Sequence, residues 1–288
     1  MLTTTVQGRT WNFSHAIGHV GPSGETFLWP YSVVTADSGV MYVLNRGPDP
    51  KEDDGNRRAQ PNFKRIGKWK LEDAFISDFA QDDIMWPVSL AVDEKGFLYC
   101  TDEVKNKVLK YDSEDQKILE WGVEGSAEGQ FSKPAGIAAD LGGHLYVVDA
   151  GNHRIQKFTD DGDFIHSWGE FGSDQGQLSD PWGIAVDSQG FVYVADWGNN
   201  RVQKFTGDGE WLQNFGVLFP EELRLDHPSD VAVDSEGDVY VADWGNKKVQ
   251  IFDSDGEILT SLYGDATELS RSALKFMEVN QDYYKAFK

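Results

Sequence analysis

The 288-residue chain has one cysteine, Cys100. A lone cysteine excludes an internal disulfide and any metal site built from several thiolates. It sits in the apolar run Phe97-Leu98-Tyr99-Cys100, where a core thiol is expected. Positive charge is also scarce: 26 Lys and Arg stand against 48 Asp and Glu, for a formal charge of −22. A field of that sign repels phosphate backbones and weighs against broad nucleic-acid binding. The one basic cluster, Lys51, Arg57, Arg58, Lys64, Arg65, Lys68 and Lys70, is diluted by Glu52, Asp53 and Asp54. No apolar run reaches about 18 residues, the length a helical membrane span needs. The opening Met1-Leu2-Thr3-Thr4-Thr5 has no basic or apolar leader, and the missing signal peptide favours the cytoplasm. There is no Gly-x-Ser-x-Gly elbow and no phosphate-cradling glycine loop ahead of a helix.

Glycine and aromatic residues are abundant: 30 Gly, 17 Phe, 10 Tyr and 10 Trp. That mixture points to strands joined by tight turns. Pro87, Pro134, Pro181 and Pro228 recur every 47 residues. At fixed offsets behind them come Asp93, Asp140, Asp187 and Asp234, then Gly96, Gly143, Gly190 and Gly237. Tyr99, Tyr146, Tyr193 and Tyr240 follow, then Asp102, Asp149, Asp196 and Asp243. An earlier copy begins at Pro30, with its additional residues in the charged stretch around 48–58. Within one copy, Gly183–Val186, Phe191–Ala195, Arg201–Phe205 and Trp211–Phe215 read as four short strands. The third of these alternates outward and inward, so it is expected to be half-exposed. A four-stranded antiparallel sheet repeated at this period predicts an all-β propeller.

The run Tyr193-Val194-Ala195-Asp196-Trp197-Gly198-Asn199-Asn200-Arg201-Val202-Gln203-Lys204-Phe205 resembles the NHL repeat. Residues 146–158 and 240–252 resemble it almost as closely, and the likeness spans about residues 9–264. Such propellers usually have six blades, which implies closure by strands from both termini. The domain expectation is a propeller over 1–264, with blades starting near 30, 87, 134, 181 and 228. Strands within 3–17, Trp11–Ile17 above all, would belong to the closing blade. Residues 265–288 read as a helical segment, because Leu269, Ala273, Phe276 and Met277 share a helix face. The rest of a sixth blade would then lie beyond Lys288, or else Leu274–Val279 and Tyr283–Phe287 would be degenerate strands of it; an open blade edge would offer a route to self-association.

Two residue sets follow. The repeated Asp102, Asp149, Asp196 and Asp243, with Arg154 and Arg201, read as scaffold: the Asp accepts N–H groups of its own turn, and the turn glycine supplies positive φ. Departures from the repeat are the candidate ligand-binding set. Tyr31 and Trp182 follow their prolines, where Val88, Ala135 and Ser229 stand elsewhere. Trp197 and Trp244 follow the repeated Asp, with Arg201 and Lys248 at the edge of the patch. Aromatic platforms beside cations suit protein, peptide or carbohydrate ligands. The six histidines, His15, His19, His144, His153, His166 and His227, share no repeat position, which argues against the metal-binding histidines implied by lyases of similar architecture. A central calcium held by backbone carbonyls would leave no trace in the sequence. The expected function is a non-catalytic binding or scaffolding module. The alternative is a metal-dependent propeller enzyme, a lyase or lactonase-like hydrolase, with its site at the channel mouth.

Overall fold

The computed structural model describes residues 3–6, 9–12, 19–20, 26–27, 29–36, 39–46, 64–72, 74–217, 220 and 223–263. The fold is an all-β propeller architecture of five four-stranded antiparallel blades. These fall in two compact units, one ending at Ile84 and one starting at Met85.

The first unit holds the first blade: β5 (Pro30–Ala36), β6 (Val40–Asn45), β7 (Arg65–Lys70) and β8 (Ala74–Phe79). It also holds two small sheets. β1 (Thr3–Val6) pairs with β2 (Arg9–Asn12), and β3 (His19–Val20) runs parallel to β4 (Thr26–Phe27). Both β1 and β2 fall within the stretch 3–17 in which strands were expected, and they pair antiparallel as a two-stranded sheet. Five blades are described, rather than five and a half, and the expected helix within 265–288 lies outside the described residues.

The second unit holds four blades. The second is β9 (Pro87–Val92), β10 (Leu98–Asp102), β11 (Lys107–Tyr111) and β12 (Lys117–Trp121). The third is β13 (Pro134–Ala139), β14 (His144–Asp149), β15 (Arg154–Thr159) and β16 (Phe164–Trp168). The fourth is β17 (Pro181–Val186), β18 (Val192–Asp196), β19 (Arg201–Phe205) and β20 (Trp211–Phe215). The fifth is β21 (Pro228–Val233), β22 (Val239–Asp243), β23 (Lys248–Phe252) and β24 (Ile258–Leu262). Among the described residues no helix is long and apolar enough to cross a membrane.

The repeated residues have local physical reasons. Each first turn is closed by its Asp, whose Oδ1 accepts the N–H four residues on: Phe97, His144, Phe191 and Asp238, at 2.8–3.0 Å. The same carboxylate accepts the hydroxyl of Tyr99, Tyr146, Tyr193 or Tyr240 at 2.9–3.0 Å. Gly96, Gly143, Gly190 and Gly237 sit in that turn at φ of +80° to +84°, a region where a side chain is strained. In the second unit the core lies between blades, whereas in the first unit Met41, Val43 and Trp69 of the first blade form a cluster of their own. Tyr146, Val148 and Ile155 of the third blade pack with Ile184, Val194 and Phe205 of the fourth. Tyr193, Val202 and Phe215 of the fourth pack with Val231, Val241 and Phe252 of the fifth. Apolar burial, the dominant favourable term in folding, therefore accrues when blades stack.

Candidate binding face at one end of the blades

Pro181 pairs with Asp196 and Pro228 with Asp243, so the start of each first strand lies beside the end of its second strand. Residue 182 therefore shares a blade end with residue 197, and residue 229 with residue 244.

This end is held by the repeated Asp. Asp149 is fully buried and accepts from Ser132 N, Asn152 Nδ2, Arg154 Nε and Gln156 Nε2, at 2.7–3.1 Å. Asp196 repeats the set with Ser179 N, Asn199 Nδ2, Arg201 Nε and Gln203 Nε2. Asp243 accepts from Asp226 N, Asn246 Nδ2 and Gln250 Nε2. Asp102 instead takes the backbone N–H groups of Met85, Trp86 and Lys105. The expected local turn is thus corrected: in the last three of these blades the backbone donor lies 17 residues upstream, because the carboxylate points under the preceding loop. The turn glycine is corrected too. Positive φ belongs to His153, Asn200 and Lys247, at 53–55°. Gly151 and Gly198 are needed for close approach, since a Cβ at Gly198 would lie 2.5 Å from Ser179 Oγ. The third strand is also more buried than expected, because Arg201 and Gln203 turn inward to reach Asp196.

The aromatic candidates divide. Trp182 and Trp197 stack, with ring centroids 5.9 Å apart and planes 21° apart. His227 packs its edge on Trp197 at 4.3 Å, and its Nδ1 lies 2.5 Å from Asp226 Oδ1. Trp244 is 66% exposed. It lines a separate concavity of about 410 Å³ with Ser229, Ala242, Asp243, Gly245, Lys247 and Lys248. Arg201 is buried, and its guanidinium reaches Asp196 and the carbonyls of Ser173, Asp174 and Gln177. Lys248 lines the concavity instead. Tyr31 lies in the first unit, with the Arg46 guanidinium 4.4 Å from its ring centroid.

The sequence reading left Ser229, Asp230 and Lys247 out of the binding set and weighed His227 only as a metal ligand. Their signal was available as departures from the repeat: Ser229 and Asp230 stand where the fourth blade has Trp182 and Gly183. Asp230 lies on β21 against Gly183, whose added Cβ would be 2.2 Å from its Oδ1. Solvent reaches this carboxyl, yet the strands around it desolvate it. Desolvation pushes it up to about 6, opposed in part by the Val231 N–H. Cys100 is wholly buried, and burial pushes its thiol well up. Among the described residues no three His, Cys, Asp or Glu side chains are grouped to hold a metal ion.

Residues 131–158, 178–205 and 225–252 match the NHL repeat family. These three segments are similar to NHL repeats. Comparison with curated proteins finds no match. Among solved structures, a streptogramin B lyase is similar with a TM-score of 0.61 at 16% identity, over 86% of this chain and 71% of that one. A nidogen/laminin complex is similar with a TM-score of 0.61 at 17% identity, over 81% of this chain and 80% of that one. Virginiamycin B lyase from Staphylococcus aureus follows with a TM-score of 0.55 at 15% identity, over 82% and 84%. At these identities the likeness is one of fold, and propellers host unrelated functions.

Proposed function

We propose that this NHL-repeat chain is a non-catalytic binding module that takes a protein, peptide or carbohydrate ligand at the Trp182/Trp197/Trp244 end of its blades. The observation that carries the reading is the placement of three tryptophans at that end of two adjacent blades, one of them 66% exposed beside a concavity. Water-facing indoles are costly to leave uncovered and are frequent anchors of recognition. The test is a screen of peptide and glycan arrays with the protein and with a W182A/W197A/W244A variant. The variant should lose at least tenfold in affinity for any ligand found, with circular dichroism unchanged. Equal binding by both would overturn the reading.

A second reading, a metal-dependent propeller enzyme, is favoured by Asp230. A carboxyl held near 6 suits general acid–base work. That reading expects zinc or calcium to raise the melting midpoint after chelator treatment, and D230N to remove the rise.

A further inference from the structure

The fourth and fifth blades share eight identical residues, Val192–Asn199 and Val239–Asn246. What surrounds the tryptophan of this shared run differs between the two blades. In the fourth blade the chain covers Trp197 itself, by stacking Trp182 upon it. In the fifth, Ser229 replaces that indole, and the concavity of about 410 Å³ opens beside Trp244. The cations differ as well. In the fourth blade, Asn200 Oδ1 accepts the His227 N–H at 2.8 Å, and the Arg201 guanidinium is tied to Asp196 and three carbonyls. Lys247 and Lys248 occupy those positions in the fifth. Both line the concavity, and among the described residues neither ammonium makes a hydrogen bond or ion pair. Asp243 also lines it, but its carboxylate is taken up by Asp226 N, Asn246 and Gln250.

We propose that this concavity binds a small planar aromatic carboxylate. Its ring lies on Trp244 as Trp182 lies on Trp197, and its carboxylate faces Lys247 and Lys248. The inference rests on the binding-module reading and names the ligand class for one part of that face. The fourth blade shows what the frame accepts, since an indole already stacks on an identical Ala-Asp-Trp-Gly corner. The volume falls in the range of about 300–1,000 Å³ usual for small-molecule sites. Two adjacent ammonium groups in an otherwise acidic chain give a short-range preference for an anion, because more distant charges are screened over about 8–10 Å.

Indole-3-acetate is the probe, with indole and tryptamine as controls, read by isothermal titration calorimetry and by NMR shifts of the Trp244 indole N–H. Indole-3-acetate should bind saturably, at least fivefold more tightly than tryptamine. S229W installs the side chain the fourth blade already accommodates and should abolish binding. W244A, at an exposed ring, should do the same without moving the melting midpoint. K247Q/K248Q should erase the preference for the anion and leave indole binding intact. No saturation, or binding that survives both S229W and W244A, would overturn the proposal. So would an acidic tryptophan-containing peptide that binds more than tenfold more tightly than indole-3-acetate, since it would make a macromolecule the occupant. If array ligands are lost in the triple tryptophan variant while indole-3-acetate fails to bind, only this inference falls. If array ligands ignore the triple variant, the parent reading falls.

Discussion

Asp196 and Asp243 hold the same place in adjacent blades but answer to different neighbours. Asp196 neutralises the buried Arg201 at 2.7 Å, whereas among the described residues no Arg faces Asp243, and Lys248 turns to the concavity. Removing Asp196 strands a buried guanidinium, a change that typically costs about 3–5 kcal/mol. Removing Asp243 leaves only amide donors unpaired, at about 1–3 kcal/mol. D196A should therefore lower the urea-unfolding midpoint more than D243A does. The Asp–Arg pairing was legible because both residues recur at one spacing. Their acceptor geometry was not, because local turn rules look two residues ahead and the backbone donor here lies 17 residues behind. Gly198 was misread for a similar reason: crowding by Ser179 is a tertiary fact that no dipeptide rule contains.

At the scale of the element, loops and strands are matched to each other. In the third and fourth blades the buried Gln156 and Gln203 side chains accept the N–H of Gly129 and Gly176, which sit at φ of +74° and +81°. Leu223 replaces this glycine ahead of the fifth blade, and its N–H goes to Pro220 O at 2.8 Å instead. Among the described residues Gln250 Oε1 is left buried without a partner. Among those residues Gln203 thus makes three hydrogen bonds, to Gly176 N, Gln177 O and Asp196, and Gln250 one, to Asp243. With about 1 kcal/mol per neutral bond, Q203M should cost about 2 kcal/mol more than Q250M by chemical denaturation. The strands themselves were legible from period-two patterning and Gly/Asp turns. Strands within 3–17 were legible as well, though β2 starts at Arg9 rather than at the expected Trp11, because outside the 47-residue register the only guide was an assumed ring closure.

For the whole molecule, charge sets the pH response. The chain carries a formal charge of −22, and Asp230 adds one carboxyl that resists ionising. Its folded value, about 6, lies above the unfolded value of about 3.9. Between those values the folded state binds more protons, so this group's contribution to stability is present below about pH 4 and is lost as pH rises through 6. D230N should therefore gain stability relative to the parent chain as pH rises from 4 to 7. The check is the difference between their urea midpoints, measured pH by pH; a flat difference would contradict the assignment. The repeat made the architecture legible at this scale. It did not make the division at Ile84–Met85 legible, because the one departure from the 47-residue spacing, the additional residues around 48–58, lies inside the first copy rather than at its end.

The links between blades have a consequence for how such chains grow. Asn106, His153 and Asn200 each accept the backbone N–H found 27 residues later, on Lys133, Asp180 and His227. Lys110 and Lys157 each donate to a carbonyl 50 residues later, on Asp160 and Gly207. Donor and acceptor recur with the period of the repeat from the second blade to the fourth, so a 47-residue segment duplicated within that stretch brings its set of couplings wherever its ends fall. A gene could gain a copy by unequal crossing-over at an arbitrary point in the repeat and leave no coupling unmatched among the copies.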